Sequence, residues 1–169
     1  MSLVDDVKSN QASAFYEHLY DANKQEITAA FHEACIQGNF RFVESLLEND
    51  QLDPRAPSSE AVEYAFNPNQ TGSYGLQMAA YHGHSEVVNL LLKDKRSDVT
   101  AGEFRCIKLI IDKAETNDTY LGILRQLSDY CWDNWINYKS KLGSETSNKI
   151  DSILNQGSAQ YSNGGSYSL

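Results

Sequence analysis

Two stretches of this chain repeat one another, and that repetition limits the fold more than any other feature. From Gly75 to Ala101 the sequence reads GLQMAAYHGHSEVVNLLLKDKRSDVTA. Leu76, Ala79 and Ala80 fall on one helical face, and Gly83 suits a helix end with φ > 0. Val87, Val88, Leu91 and Leu92 then stripe a second helix that starts at His84 or Ser85. From Phe31 to Ala56 the chain reads FHEACIQGNFRFVESLLENDQLDPRA. Setting Gly38 on Gly83, an offset of 45 residues, aligns seven positions without a gap. They are Ala34/Ala79, Gly38/Gly83, Val43/Val88, Leu46/Leu91, Leu47/Leu92, Asp53/Asp98 and Ala56/Ala101, which are the turn, the core stripe and the exit. A pair of short helices cannot bury both of its stripes alone, so each pair needs another stacked beside it. The predicted class is all-α, a stack of helix-turn-helix pairs.

The order L-x-x-A-A-x-x-G-H-x-E-V-V-x-L-L-L, followed by D-V-x-A, resembles the ankyrin repeat, and Leu76 to Ala101 carries it closely. Two departures stand out. Tyr74-Gly75-Leu76-Gln77 replaces the Thr-Pro-Leu-His opening, and the run from Leu92 to Asp98 is one residue longer and lacks Gly-Ala. The first copy has Phe31, Cys35 and Asn39 where the family favours Leu, Ala and His. The resemblance implies two divergent repeats, at about residues 26–56 and 70–101, spaced more widely than the family's period of about 33 residues.

Around the repeats the chain reads as follows. Residues 1–25 carry Leu3, Val7, Phe15 and Leu19 among polar residues, as expected of one or two helices capping the open end of the stack. The repeat domain spans 26–142, with helices at about 26–37 and 40–49 in the first copy. An insertion at 57–74 holds Pro57 and Ser58-Ser59, which can start a helix bearing Val62, Ala65 and Phe66, and Asn67-Pro68-Asn69, which ends it. It replaces the finger of an ankyrin repeat, either as packing or as a recognition loop. Residues 103–142 read as a degenerate third repeat. Its first helix covers Glu103–Ala114, and its second is capped by Asn117 or Asp118 and lengthened to Leu142. Residues 143–169 are rich in Ser, Asn and Gly and are expected to be mostly disordered, with one amphipathic turn around Ile150, Ile153 and Leu154.

Lys+Arg 14 against Asp+Glu 23 gives a net charge of −9, which repels phosphate backbones and anionic bilayers. Nucleic acid and membrane are therefore not expected as partners, whereas a protein with a basic surface is. No apolar run reaches the ~18 residues of a membrane span, and no signal peptide is visible. Cys35, Cys106 and Cys131 sit among apolar neighbours without paired spacing, as buried free thiols of a reducing compartment would. A cytoplasmic location follows. A short eukaryote-style repeat with a polar tail also fits a bacterial effector that acts in a host cytoplasm.

No enzyme is expected. His82 and His84 form an H-x-H pair with no further metal ligands nearby, and His32 with Cys35 is a nucleophile pair with nothing to activate it. The sequence holds no phosphate-binding loop, serine elbow or zinc-protease motif. No cofactor, metal or small-molecule substrate is implied. Trp132 and Tyr138 are candidates for a sticky outer patch on the last helix.

By resemblance, the chain is a non-catalytic module that binds a protein partner in the concave groove formed by inner helices and fingers. The two residues before each turn glycine would point into that groove. These are Ile36 and Gln37 in the first copy and Tyr81 and His82 in the second, joined by finger positions Gln70, Thr71 and Ser73. Ile36 has an alternative role, packing on the N-terminal helices. His84 falls at the family's turn histidine, which implies a hydrogen bond to backbone in the neighbouring repeat.

Overall fold

A computed structural model describes residues 2–52, 54, 73–134 and 136–159, and among these every regular element is a helix. The first two layers are α1 (Leu3–Ser9) with α2 (Ala12–Asp21) and α3 (Lys24–Gln37) with α4 (Phe40–Leu47). The third is α5 (Tyr74–Tyr81) with α6 (Ser85–Asp94). Then come α7 (Ala101–Lys108), the single turn α8 (Ile111–Ala114), α9 (Asp118–Asp133), α10 (Tyr138–Leu142) and α11 (Ser144–Ala159).

Short polar residues set many of the starts. Ser2 and Asp5 form a capping box on α1, and Asn23 and Glu26 form another on α3. Asn39, Asn117 and Asn137 cap α4, α9 and α10 by accepting from Phe42, Thr119 and Ser140 backbone N–H groups. Gly38 ends α3 at φ 70°, and Gly83 turns the chain between α5 and α6 at φ 79°.

The layers stack as two rows. In one, α1 packs on α3, α3 on α5, α5 on α7 and α7 on α10; in the other, α4 packs on α6, α6 on α9 and α9 on α11. Phe15 of α2 joins the second row by stacking on Phe42 of α4, ring centres 4.2 Å apart. Val43, Leu46, Val88, Leu91, Ile107, Ile123 and Leu127 are fully buried in one continuous core. Small residues set the spacing of the first row. A side chain at Gly75 would meet the Phe31 ring at 2.6 Å and Cys35 Sγ at 3.1 Å, so only glycine lets α5 approach α3 this closely.

Each layer also closes the helix ends of the layer before it. The last carbonyls of a helix have no partner within it. Here His84 Nε2 donates to the carbonyl of Ile36 (2.7 Å), Arg96 Nη2 to that of Leu47 (2.5 Å) and Lys113 Nζ to that of Tyr81 (2.9 Å). Lysine and arginine at a helix C-terminus also oppose the helix dipole.

The structure differs from the sequence reading in the last third. The helix expected to run to Leu142 stops at Asp133. There the Ile136 N–H turns back to the Cys131 carbonyl (2.8 Å), and Asn137 restarts the chain as α10. Tyr138 and Leu142 are buried beyond the break just as the continuous spacing expects, so that spacing does not reveal it; Asn134 ends α9 and Asn137 caps α10. Tyr138 accordingly faces Phe104 in the core and is not part of an outer patch. Glu103–Ala114 is likewise two pieces, α7 and α8, and α7 opens with Gly102, Glu103 and Phe104 in the left-handed region. The tail expected to be disordered from 143 is helical to Ala159, because burying Ile150 and Ile153 against α9 and α10 gives its weak stripe a place to dock. The helix expected inside 57–74, on Val62, Ala65 and Phe66, lies outside the described residues.

Candidate functional site

The paired residues before the two turn glycines do not share one environment. Ile36 is half-buried and packs against Tyr74 and Met78 of α5. Gln37 is exposed and donates to Glu33 Oε1 at 2.9 Å, one turn back on α3. Tyr81 and His82 are both exposed, Tyr81 at 40%.

Tyr81 is held firmly despite that exposure. Its carbonyl accepts from Lys113 Nζ (2.9 Å) and from Tyr120 Oη (3.0 Å), and the Lys113 ammonium lies 3.7 Å from the centre of its ring. The edge of one ring meets the face of the other between Tyr81 and His82, 5.1 Å apart, and His82 stacks on His84 at 6.1 Å. Partial burial, the neighbouring His84 and the Lys113 ammonium together hold His82 below its ordinary value of 6.5. The patch is thus an ordered aromatic and imidazole surface with one lysine beneath it.

Sequence reasoning missed Lys113 and Tyr120, which the next layer supplies. The available signal was the position of Lys113 at the end of the helix preceding Asn117, where a stacked layer would bring it beside the turn at Gly83.

Ser73 is a correction. It is fully buried, sits at φ 56° before α5, and its Oγ accepts the Asp98 N–H at 2.6 Å. A hydroxyl so placed ties the entry of one repeat to the exit of the same repeat and offers nothing to a partner. Gln70 and Thr71 lie outside the described residues.

Burial pushes the Cys35 thiol far above the usual range. It also pushes Cys106 up to about 12, with Cys131 adding to the effect, and Cys131 up to about 11. All three are buried free cysteines. Among the described residues no group of three or more His, Cys, Asp or Glu is arranged to hold a metal ion. His84, one half of the H-x-H pair, is committed to the Ile36 carbonyl.

The chain matches the family model for ankyrin repeats in three copies over residues 3–103, from α1 into the first turns of α7. It belongs to the ankyrin repeat family. No curated protein and no solved structure matches it. Ankyrin repeats are generally protein–protein interaction modules and typically non-catalytic. In this ankyrin repeat chain α1 and α2, read from sequence as capping helices, fall inside the match, while α8 to α11 lie beyond it. No helix among the described residues is long and apolar enough to cross a membrane.

Proposed function

We propose that this ankyrin repeat chain is a non-catalytic, cytoplasmic binding module whose partner is a protein, engaged by the face that carries Gln37, Tyr81 and His82 and is bordered by Ile36. The observation that carries the reading is Tyr81, exposed at a turn, with its carbonyl held by Lys113 and Tyr120, the Lys113 ammonium over its ring and the exposed His82 against it. A surface ordered before binding loses little side-chain entropy when a partner arrives, and tyrosine is enriched at such surfaces. Three buried free thiols fit a reducing compartment, and the net charge of −9 favours a partner with a basic surface.

The experiment is affinity capture with the wild-type chain, followed by the Tyr81→Ala, His82→Ala double variant against the captured protein. A partner lost from the variant while its urea melting curve stays wild-type supports the face. A variant that folds normally and binds as tightly as the wild type removes it.

A further inference from the structure

A second surface lies in the last layers of the stack, beyond the family match. A cleft of about 670 Å³ opens between the end of α9, Ile136, Asn137 and the α10–α11 pair. Ser128, Asp129, Trp132, Asp133, Ile136 and Leu154 are among its walls. Trp132 is 82% exposed, far more than a ring of that size shows when its role is packing. Asp129 and Asp133 stand one turn apart on α9 beside it and are both exposed, with no ion pair to either among the described residues. The acid on the opposite wall, Asp151, is already paired, since Lys139 Nζ meets its Oδ1 at 2.5 Å. Ser128 lies behind this wall at 7% exposure, and its buried hydroxyl has no hydrogen-bond partner among the described residues.

We propose that this cleft receives an arginine-bearing segment of a partner protein. The guanidinium stacks on Trp132 and pairs with Asp129 and Asp133, and an apolar neighbour of that arginine covers Ile136 and Leu154. Arginine suits the site better than lysine, because a planar, weakly hydrated fork can stack on an indole and pair with carboxylates at once. The charge of the whole chain acts in the same direction, drawing basic segments toward it. This surface is independent of the Tyr81–His82 face, and loss of one leaves the other intact.

The test is calorimetric titration of the full chain with a short peptide of alternating arginine and leucine, alongside versions carrying lysine or glutamate in place of arginine. Expected are binding of the arginine peptide, weaker binding of the lysine peptide and none of the glutamate peptide. Trp132→Ala should weaken the arginine peptide roughly tenfold, and Trp132→Phe less. The pair Asp129→Asn, Asp133→Asn should weaken it by a similar factor and flatten its salt dependence. The pair Glu44→Gln, Glu48→Gln, exposed acids on α4 and at its C-cap, should leave it unchanged. Unchanged melting of every variant shows that the fold is kept. The proposal is overturned if the arginine peptide does not bind, if Trp132→Ala binds it as well as the wild type, or if the α4 pair weakens it as much as the α9 pair. A dimer of the wild-type chain that disappears in Trp132→Ala would instead assign the cleft to a second copy.

Discussion

The imidazole of His84 fills the space into which any side chain at Gly38 would grow. A Cβ there would lie 2.3 Å from His84 Nδ1, while Nε2 of the same ring donates to the Ile36 carbonyl two residues before the glycine. Glycine is thus required twice at this turn, by its φ of 70° and by a ring from the next layer. The first requirement is local; the second exists only because α6 stacks on α4.

That relationship makes the two positions energetically coupled. Gly38→Ala should cost about 2–5 kcal/mol, from left-handed strain plus overlap with the ring. His84→Ala should cost about 1–3 kcal/mol, since it leaves the Ile36 carbonyl without its partner. In the double variant the overlap is gone, so its cost should fall short of the sum by about 1 kcal/mol or more. Urea unfolding of the four proteins measures the coupling, and strict additivity would mean that His84 does not occupy that space.

Two other glycines should respond to alanine with opposite signs. Gly122 lies inside α9 with open space around it, so Gly122→Ala should stabilise the chain by about 0.5–1 kcal/mol through its unfolded state. Gly143 also has open space but stands at φ 81° between α10 and α11, so Gly143→Ala should destabilise by about 1–2 kcal/mol. Melting shifts of the same sign would contradict the break that separates α10 from α11.

Leu91 reports on the stripe shared by the two copies. It is fully buried, whereas Leu90 beside it is only half-buried. Leu91→Ala should cost about 2–5 kcal/mol and Leu90→Ala clearly less. Equal losses in thermal or urea melts would place the wrong face of α6 in the core.

The buried cysteines predict an alkaline limit. Each thiol titrates near 9.0 when unfolded, and burial raises it in the folded chain, to about 12 for Cys106 and about 11 for Cys131. A raised folded value means the contribution is complete below the unfolded value and is lost as pH climbs from there through the folded value. Stability should therefore decline from about pH 9 upward, by roughly 1 kcal/mol per thiol for each pH unit, while thiol reagents leave the native protein unmodified at neutral pH. The triple Cys→Ala variant should lose much of this slope. A slope equal to that of the wild type would clear the thiols of responsibility.

Much of the stack was legible in the chain because its determinants are local. Gly38 and Gly83 announce two turns. The apolar pairs Leu46-Leu47 and Leu91-Leu92 name the buried stripes, and the structure has α3, α4, α5 and α6 where those signals fall. The same reading failed at Asn134 and at Ser144–Ala159 for one reason. A seven-residue spacing is blind to a break whose two sides both face the core, and a weakly striped segment becomes a helix only when α9 and α10 give it a surface.

The sequence by itself determined the helix pairs, their turns and the face of each helix that must be covered, because propensity, capping and periodicity act within a few residues. Only the tertiary structure decided what surrounds each exposed group. Stacking brought Lys113 and Tyr120, 32 and 39 residues away, onto the Tyr81 carbonyl, and it buried Ser73 against Asp98, 25 residues on. It also left Trp132 standing open while Tyr138, six positions later, was turned inward. Contacts between residues so far apart depend on where whole layers settle, and no spacing within one helix encodes that.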